Sequence, residues 1–299
     1  MSESLKEKIK NRDRVIRVLS KNGHFRAVAI KNTSSAIAAQ EKHNLNSISA
    51  YILAKVLSSV TMLASFLKGE ERVSIEFNSD GYINHIYAEA LNVGECKGFV
   101  SFSENSKPVS ILSEIIGKGI LKVTRILYNE FEPITGIVPI QKGDISTDLA
   151  YYFLQSEQIG SAVVLDADFD DNGKIIESGG FIIQAMPEAT DAELKEIEQK
   201  LSKIDSICND FTQGLTLTDI LKKYLPFEFD IIKSTQVDFY CRCNKESFIN
   251  KLLLLPIEDI KDIKMKKQNE LVCQFCNKHY YLEERDFENI ISLIKSKQN

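Results

Sequence analysis

Apolar positions change their period along this chain. Residues 15–19 and 25–30 are short apolar runs either side of Lys21-Asn22-Gly23-His24, and Asn-Gly between two such runs predicts a hairpin. Thr33-Ser34-Ser35 then offers hydroxyls to cap a helix through residues 36–39. From Ser47 or Ser49 the pattern turns helical, with Ile52, Leu53, Val56, Leu57, Val60, Leu63, Ala64 and Leu67 at helical spacing. Ala54, Ser58, Ser59 and Ser65 are small enough to let that helix lie close to a neighbour. A period of two follows, as Val73, Ile75 and Phe77 alternate with Arg72, Ser74 and Glu76. After the turn Asn78-Ser79-Asp80-Gly81, residues 82–88 return as a partner strand. Residues 96–102 and 120–126 read as strands, 133–140 as extended and 148–156 as a helix. Residues 162–168 and 174–186 read as a hairpin around Asp171-Asn172-Gly173. Many strands with few helices between them predict an α+β core on an antiparallel sheet, with packed helices.

The pattern shifts after Pro187. Residues 191–208 read as one amphipathic helix with an apolar stripe of Leu194, Ile197, Leu201, Ile204 and Ile207. Glu193, Glu196, Lys200 and Lys203 take the other face, and Gly214 ends the segment. Residues 215–224 read as a second short helix, and 227–232 as a short apolar piece. The expected organisation is an α+β core over 1–186, a helical linker over 187–236 and a small C-terminal domain over 237–299.

Composition narrows the class. A chain of 299 residues with 43% hydrophobic and 26% charged residues is that of a soluble globular protein with room for two domains. The most apolar long segment, 48–67, carries Lys55 and several hydroxyls, so it reads as a buried helix and not a membrane span. Residues 1–8 are charged throughout, which predicts no signal peptide. Together with the cysteine usage, that predicts a cytoplasmic protein. A net charge of −5 argues against a polyanion partner.

The chemistry concentrates in four cysteines. Cys241-Arg242-Cys243 is a Cys-x-Cys pair, Cys273-Gln274-Phe275-Cys276 is a Cys-x-x-Cys pair, and 29 residues lie between them. Each pair offers two thiolates from one turn, which suits one tetrahedral Zn²⁺. The bland alternative is four ordinary cysteines in a small core. A disulfide within Cys-x-Cys closes a cramped ring and is readily reduced, so the site reads either as structural or as a reversible redox switch. From Val237 onward there are 11 Lys or Arg and 10 Asp or Glu, a balance near neutral that argues against nucleic acid. His279, three residues past Cys276, is the alternative fourth ligand. His24, His43 and His85 read as turn, helix-end and strand residues, and Cys96 and Cys208 as buried structural thiols. Gly-x-Ser-x-Gly, His-Glu-x-x-His and phosphate-loop motifs are absent, and Gly117-Lys118-Gly119 reads as a turn. Four cysteines leave a metal no open position, which argues against a metalloenzyme.

These residues resemble the redox-regulated chaperones of the 33-kDa heat-shock protein family. The two cysteine pairs match its C-terminal signature, with Phe239, Leu255-Pro256-Ile257-Glu258-Asp259, Phe275 and Tyr280 around them. The core is similar too, at 117–123, 136–145, 148–153, 156–158 and 179–184 with Pro187. The chain departs from the family at Lys55, where Leu-Gly-Arg is common, and at Met186, where leucine is commoner. The resemblance implies an ATP-independent holdase and no enzyme. It implies Cys241, Cys243, Cys273 and Cys276 as ligands of one Zn²⁺ in an inactive reduced form. It also implies Cys241–Cys243 and Cys273–Cys276 disulfides on oxidation, with zinc expelled and the C-terminal domain and linker unfolded. Unfolding client proteins are the implied partners, with a homodimer favoured on oxidation and no nucleic acid or membrane. The stripe Leu194, Ile197, Leu201, Ile204 and Ile207 is the expected client-binding element. The alternative is a zinc-ribbon binding module on an α+β core without redox control.

Overall fold

A computed structural model of the chain describes residues 12–103 and 112–298. The charged N-terminal stretch lies outside them. The chain forms two compact units, residues 1–240 and 241–299. In unit 1, β1 (Arg14–Ser20) and β2 (Phe25–Lys31) form the expected hairpin. Helices α1 (Thr33–His43) and α2 (Ser47–Ala64) follow, then β3 (Arg72–Ser79), β4 (Ile83–Leu91) and β5 (Glu95–Phe102). Next come α3 (Leu112–Ile116), β6 (Gly119–Ile126), β7 (Ile134–Pro139), α4 (Ile145–Ser156), β8 (Ser161–Phe169) and β9 (Ile175–Ala185). The remaining elements of unit 1 are α5 (Asp191–Leu201), α6 (Ile207–Thr212), α7 (Leu217–Tyr224), β10 (Phe229–Gln236) and β11 (Asp238–Phe239).

Two sheets result, in the orders β10-β1-β2-β9-β8 and β11-β5-β4-β3-β6-β7. All their pairings are antiparallel except that of β11 with β5. Helix α2 fills the core between the layers, and Val56, Leu57 and Val60 are fully buried. By length and composition α2 could cross a membrane, but most of it is buried inside this unit. The small residues do let it lie close: Ser58 Oγ donates to Asn32 Oδ1 at 2.9 Å.

Three expectations need correcting. The cap of α1 is not its own Thr33-Ser34-Ser35 run; Asp13 reaches in, accepting from Ser34 N at 3.0 Å and Ser35 N at 2.6 Å. The amphipathic segment 191–208 is not one helix. α5 ends at Leu201, and α6 restarts at Ile207 with Ser206 as its N-cap. The apolar piece at 227–232 belongs to a full strand, β10, which pairs with β1 through residue 236.

The opposite face of the first sheet carries a second core. Ile16, Val18, Phe25, Ala27, Ala29, Phe181 and Ile183 face Ile197, Ile207, Phe211, Ile220 and Leu221. The predicted stripe is therefore covered: Ile197 is 5% exposed and Ile207 1%, while Leu194, Leu201 and Ile204 are half-buried against the same cluster. A Thr190–Glu193 capping box starts α5, and Glu193 also meets His24 Nδ1 at 2.9 Å and Asn22 Nδ2 at 3.0 Å. At the far end Asp166 accepts from Ser206 Oγ at 2.6 Å and Cys208 N at 3.3 Å.

Unit 2 contains α8 (Lys245–Leu252), α9 (Ile257–Met265), the hairpin β12 (Glu270–Val272) with β13 (His279–Tyr281), and α10 (Glu284–Gln298). Its core is small: Ile260, Leu282, Phe287, Ile290 and Ile294.

Candidate metal centre

Local structure brings the two cysteine pairs together. Cys241 and Cys243 run straight into Asn244, whose side chain accepts from Ser247 N at 2.8 Å and caps α8. Cys273 and Cys276 sit on the turn joining β12 to β13. That turn is closed by Asn277 N donating to Cys273 O at 2.7 Å and Cys273 N donating to Lys278 O at 2.9 Å. Asn277 takes φ +55°, a left-handed conformation that asparagine tolerates.

The four Sγ atoms lie within 4.8 Å of one another. Cys241 Sγ is 3.8 Å from Cys273 Sγ, and Cys243 Sγ is 3.4 Å from Cys276 Sγ. A tetrahedron with metal–sulfur bonds of ~2.3 Å has edges of roughly 3.8 Å, so the cage has the right size for a four-thiolate metal ion. Among the described residues these four alone form such a group. His279 is not among them; its Nδ1 lies 2.7 Å from Glu270 Oε1 on the hairpin.

Electrostatics distinguishes the sulfurs. Burial pushes the Cys276 thiol up to about 11, and Cys243 and Cys273 add to the shift. Burial likewise raises Cys241. Burial also acts against ionisation of Cys243, but hydrogen bonding with Tyr280 and the other three cysteines outweighs it and holds Cys243 below an ordinary thiol. Cys243 is thus more readily a thiolate than Cys241 or Cys276, and the thiolate is the form that binds metal and meets oxidant.

The other two cysteines stand apart. Cys96 is 1% exposed, and burial pushes it up to about 12. Cys208 is fully buried, and burial, followed by the carboxylate of Asp166, raises it too. Both lie buried in unit 1, outside the cage. The expected client-binding stripe also lies in unit 1. It borders a cleft of about 410 Å³ lined by Tyr151 and Leu154 of α4, Ile183 of β9, and Leu194, Ile197 and Glu198 of α5. Sequence reasoning missed that cleft, because its walls come from segments up to 173 residues apart, from Phe25 of β2 to Glu198 of α5.

Fold and site together define a two-sheet α+β protein that carries a second small unit with a four-cysteine, metal-type cage. The family model described as "Hsp33 protein" matches residues 13–283, and the chain belongs to that family. The chain is 31% identical over 287 residues to the 33 kDa chaperonin of Streptococcus agalactiae, covering 94% of this chain and 98% of that protein. It is 31% identical over 288 residues to the 33 kDa chaperonin of Lactococcus lactis, covering 94% and 100%. The crystal structure of the 33 kDa chaperonin homologue of Thermotoga maritima superposes with a TM-score of 0.86 at 24% identity, covering 95% of this chain and 99% of that one. That likeness establishes the fold.

Proposed function

We propose that this chain is a redox-regulated, ATP-independent holdase that captures unfolding proteins under oxidative stress, with one Zn²⁺ in its resting state. The observation that carries this reading is the cage of Cys241, Cys243, Cys273 and Cys276 in a unit with so small a core of its own. The names of the relatives support the chaperone class. When bound, zinc supplies a cross-link and holds the four sulfurs as thiolates. A structural zinc site contributes ~10–16 kcal/mol of folding free energy. The net stability of a whole domain is ~5–15 kcal/mol. Unit 2 therefore depends on its cysteines.

Peroxide oxidises each thiolate pair to a disulfide, and the sulfurs then cease to be metal ligands. By family resemblance the pairs are Cys241–Cys243 and Cys273–Cys276. Peptide mapping separates these from the cross-pairs Cys241–Cys273 and Cys243–Cys276. Unfolding of unit 2 then removes the segment that follows β10 and β11 in the chain, and α5 to α7 loosen. The two buried stripe side chains, Ile197 and Ile207, contribute roughly 1.5–3 kcal/mol each to holding the linker down, and the three half-buried ones less, before the entropy of ordering it is subtracted. Exposure of the stripe and of the sheet face beneath it creates the client surface.

The test measures metal content, aggregation suppression and hydrogen exchange over residues 191–208 during oxidation. Suppression should appear as metal leaves and exchange accelerates. Equal suppression by reduced and oxidised protein would favour a zinc-ribbon binding module without redox control. Ile197→Asp places a carboxylate in the second core and should give chaperone activity in the reduced protein with metal still bound. An inactive, well-folded reduced variant would remove the linker from the mechanism.

A further inference from the structure

Tyr280 lies on β13, four residues beyond Cys276 and outside both cysteine pairs. Its hydroxyl donates to Cys243 O at 2.8 Å and lies 3.3 Å from Cys243 Sγ. The ring is set by contacts that do not involve sulfur. Phe248 of α8 packs on it with centroids 5.5 Å apart, and the Lys278 ammonium sits 5.2 Å from its centroid. Strand pairing fixes its backbone opposite Leu271. The hydroxyl is therefore aimed at Cys243 by the fold of the unit.

We propose that Tyr280 is a positioning residue of the metal centre, whose hydroxyl donates to the Cys243 sulfur when that sulfur is a thiolate and so sets how readily it is oxidised. A phenol has one proton and here two acceptors, the carbonyl and the sulfur. A thiolate is a charged acceptor and draws the shared proton, since hydrogen bonds to ionised groups are roughly twice as strong as neutral ones. A disulfide sulfur is neutral and accepts weakly, so the proton returns to the carbonyl. The bond thus favours the ligand form over the oxidised form. Hydrogen bonds to ligand atoms tune metal sites in general.

The same bond draws charge from the nucleophile. In oxidation the Cys243 thiolate attacks a peroxide oxygen, the O–O bond breaks, and the leaving hydroxide takes a proton to become water. The resulting sulfenic acid is attacked by a second cysteine thiolate. An S–S bond forms, and hydroxide leaves and is protonated. Two thiolates, one peroxide and two protons give one disulfide and two waters. A hydrogen bond held by Tyr280 slows the first step.

Tyr280→Phe keeps the ring and removes the hydroxyl; Phe248→Leu loosens the ring and keeps the hydroxyl. Reduced wild type, Y280F and F248L are each loaded with Co(II), whose sulfur-to-cobalt charge-transfer band reports the electron density on the thiolates. This inference rests on the metal-centre reading. A wild-type protein that gives no tetrahedral Co(II) spectrum overturns both. If wild type binds Co(II), Y280F should bind it with the charge-transfer band moved to longer wavelength. It should lose that band under peroxide roughly three- to tenfold faster than wild type, the gain expected for losing one charge-assisted bond. Y280F identical to wild type in band position and rate overturns the role of Tyr280 alone. So does a Y280F matched in both by F248L, which would make the residue mere packing. A wild-type measurement covers a Y280F that fails to fold. With ¹³C-labelled tyrosine, the Cζ resonance of Tyr280 should shift on Zn(II) addition, and an unmoved resonance counts against the proposal.

Discussion

Lys55 has a side chain only 4% exposed, yet it donates to Asp144 Oδ1 at 2.8 Å. Its ammonium also lies 4.9 Å from the centroid of the Tyr51 ring. Asp144 in turn caps α4 by accepting from Thr147 N at 2.9 Å. Burial acts to raise Asp144, but Lys55 and Thr147 outweigh it and keep the carboxylate ionised. The Lys55 ammonium thus holds two oxygens, Asp144 Oδ1 and, at 3.4 Å, the Tyr51 hydroxyl. Glu193 makes a different kind of tie. The backbone N–H of Thr190, its hydroxyl and His24 hold the Glu193 carboxyl down to about 2. An unfolded glutamate titrates at about 4.3. Its folded value is depressed, so its stabilisation is complete above the unfolded value and is lost as pH falls from there toward about 2. Hydrogen exchange in α5 should therefore accelerate over that window in wild type. Glu193→Gln should show less of that acid-dependent change, and an identical pH dependence would discount the tie.

Among the elements, what is local was legible. The Lys21–His24 turn, the Asp171–Gly173 turn and the α2 periodicity each announce themselves within a few residues. What depends on distant partners was not. Asp13 caps α1 across 21 residues to Ser34, and β10 pairs with β1 across more than 200. The break after Leu201 was hidden because Leu201, Ile204 and Ile207 keep helical spacing through it. Asp166, on β8, holds the restart of the helix by accepting from both Ser206 Oγ and Cys208 N. Asp166→Ala should cost about 1 kcal/mol, the usual value of a lost cap interaction, and should speed exchange over α6 without disturbing unit 2. Urea unfolding and exchange mass spectrometry read both effects. The cysteine cage was legible from spacing alone, since the members of each pair lie only two or three residues apart. Tyr280 carried the family resemblance, but its reach to Cys243 was not legible, because only the fold joins residues 37 apart. The short helices of unit 2 left a weak trace, Asn244 followed three residues later by Ser247.

At the scale of the whole molecule, two compact units with separate cores should melt separately. Stripping metal from reduced protein should erase the helical signal of α8 to α10 while the thermal transition of unit 1 persists. A retained helical signal with two transitions in the stripped form would mean that unit 2 folds without metal. The placement of the six thiols also has a numerical consequence. All six are unpaired, but Cys96 and Cys208 are sealed in unit 1. Four sulfurs are then available as electron donors. On the proposed redox reading, two disulfides would release four electrons per chain, and each peroxide accepts two. The chain should therefore behave as a counter with a fixed capacity. Titration with peroxide should end at about two equivalents. A Cys96→Ser, Cys208→Ser double variant should give the same end point, where a third equivalent in wild type would betray a leak. Because buried thiols add no background, the response should be sigmoidal in oxidant dose only if the first disulfide makes the second easier to form, and the shape of that curve measures the coupling between the two halves of the cage.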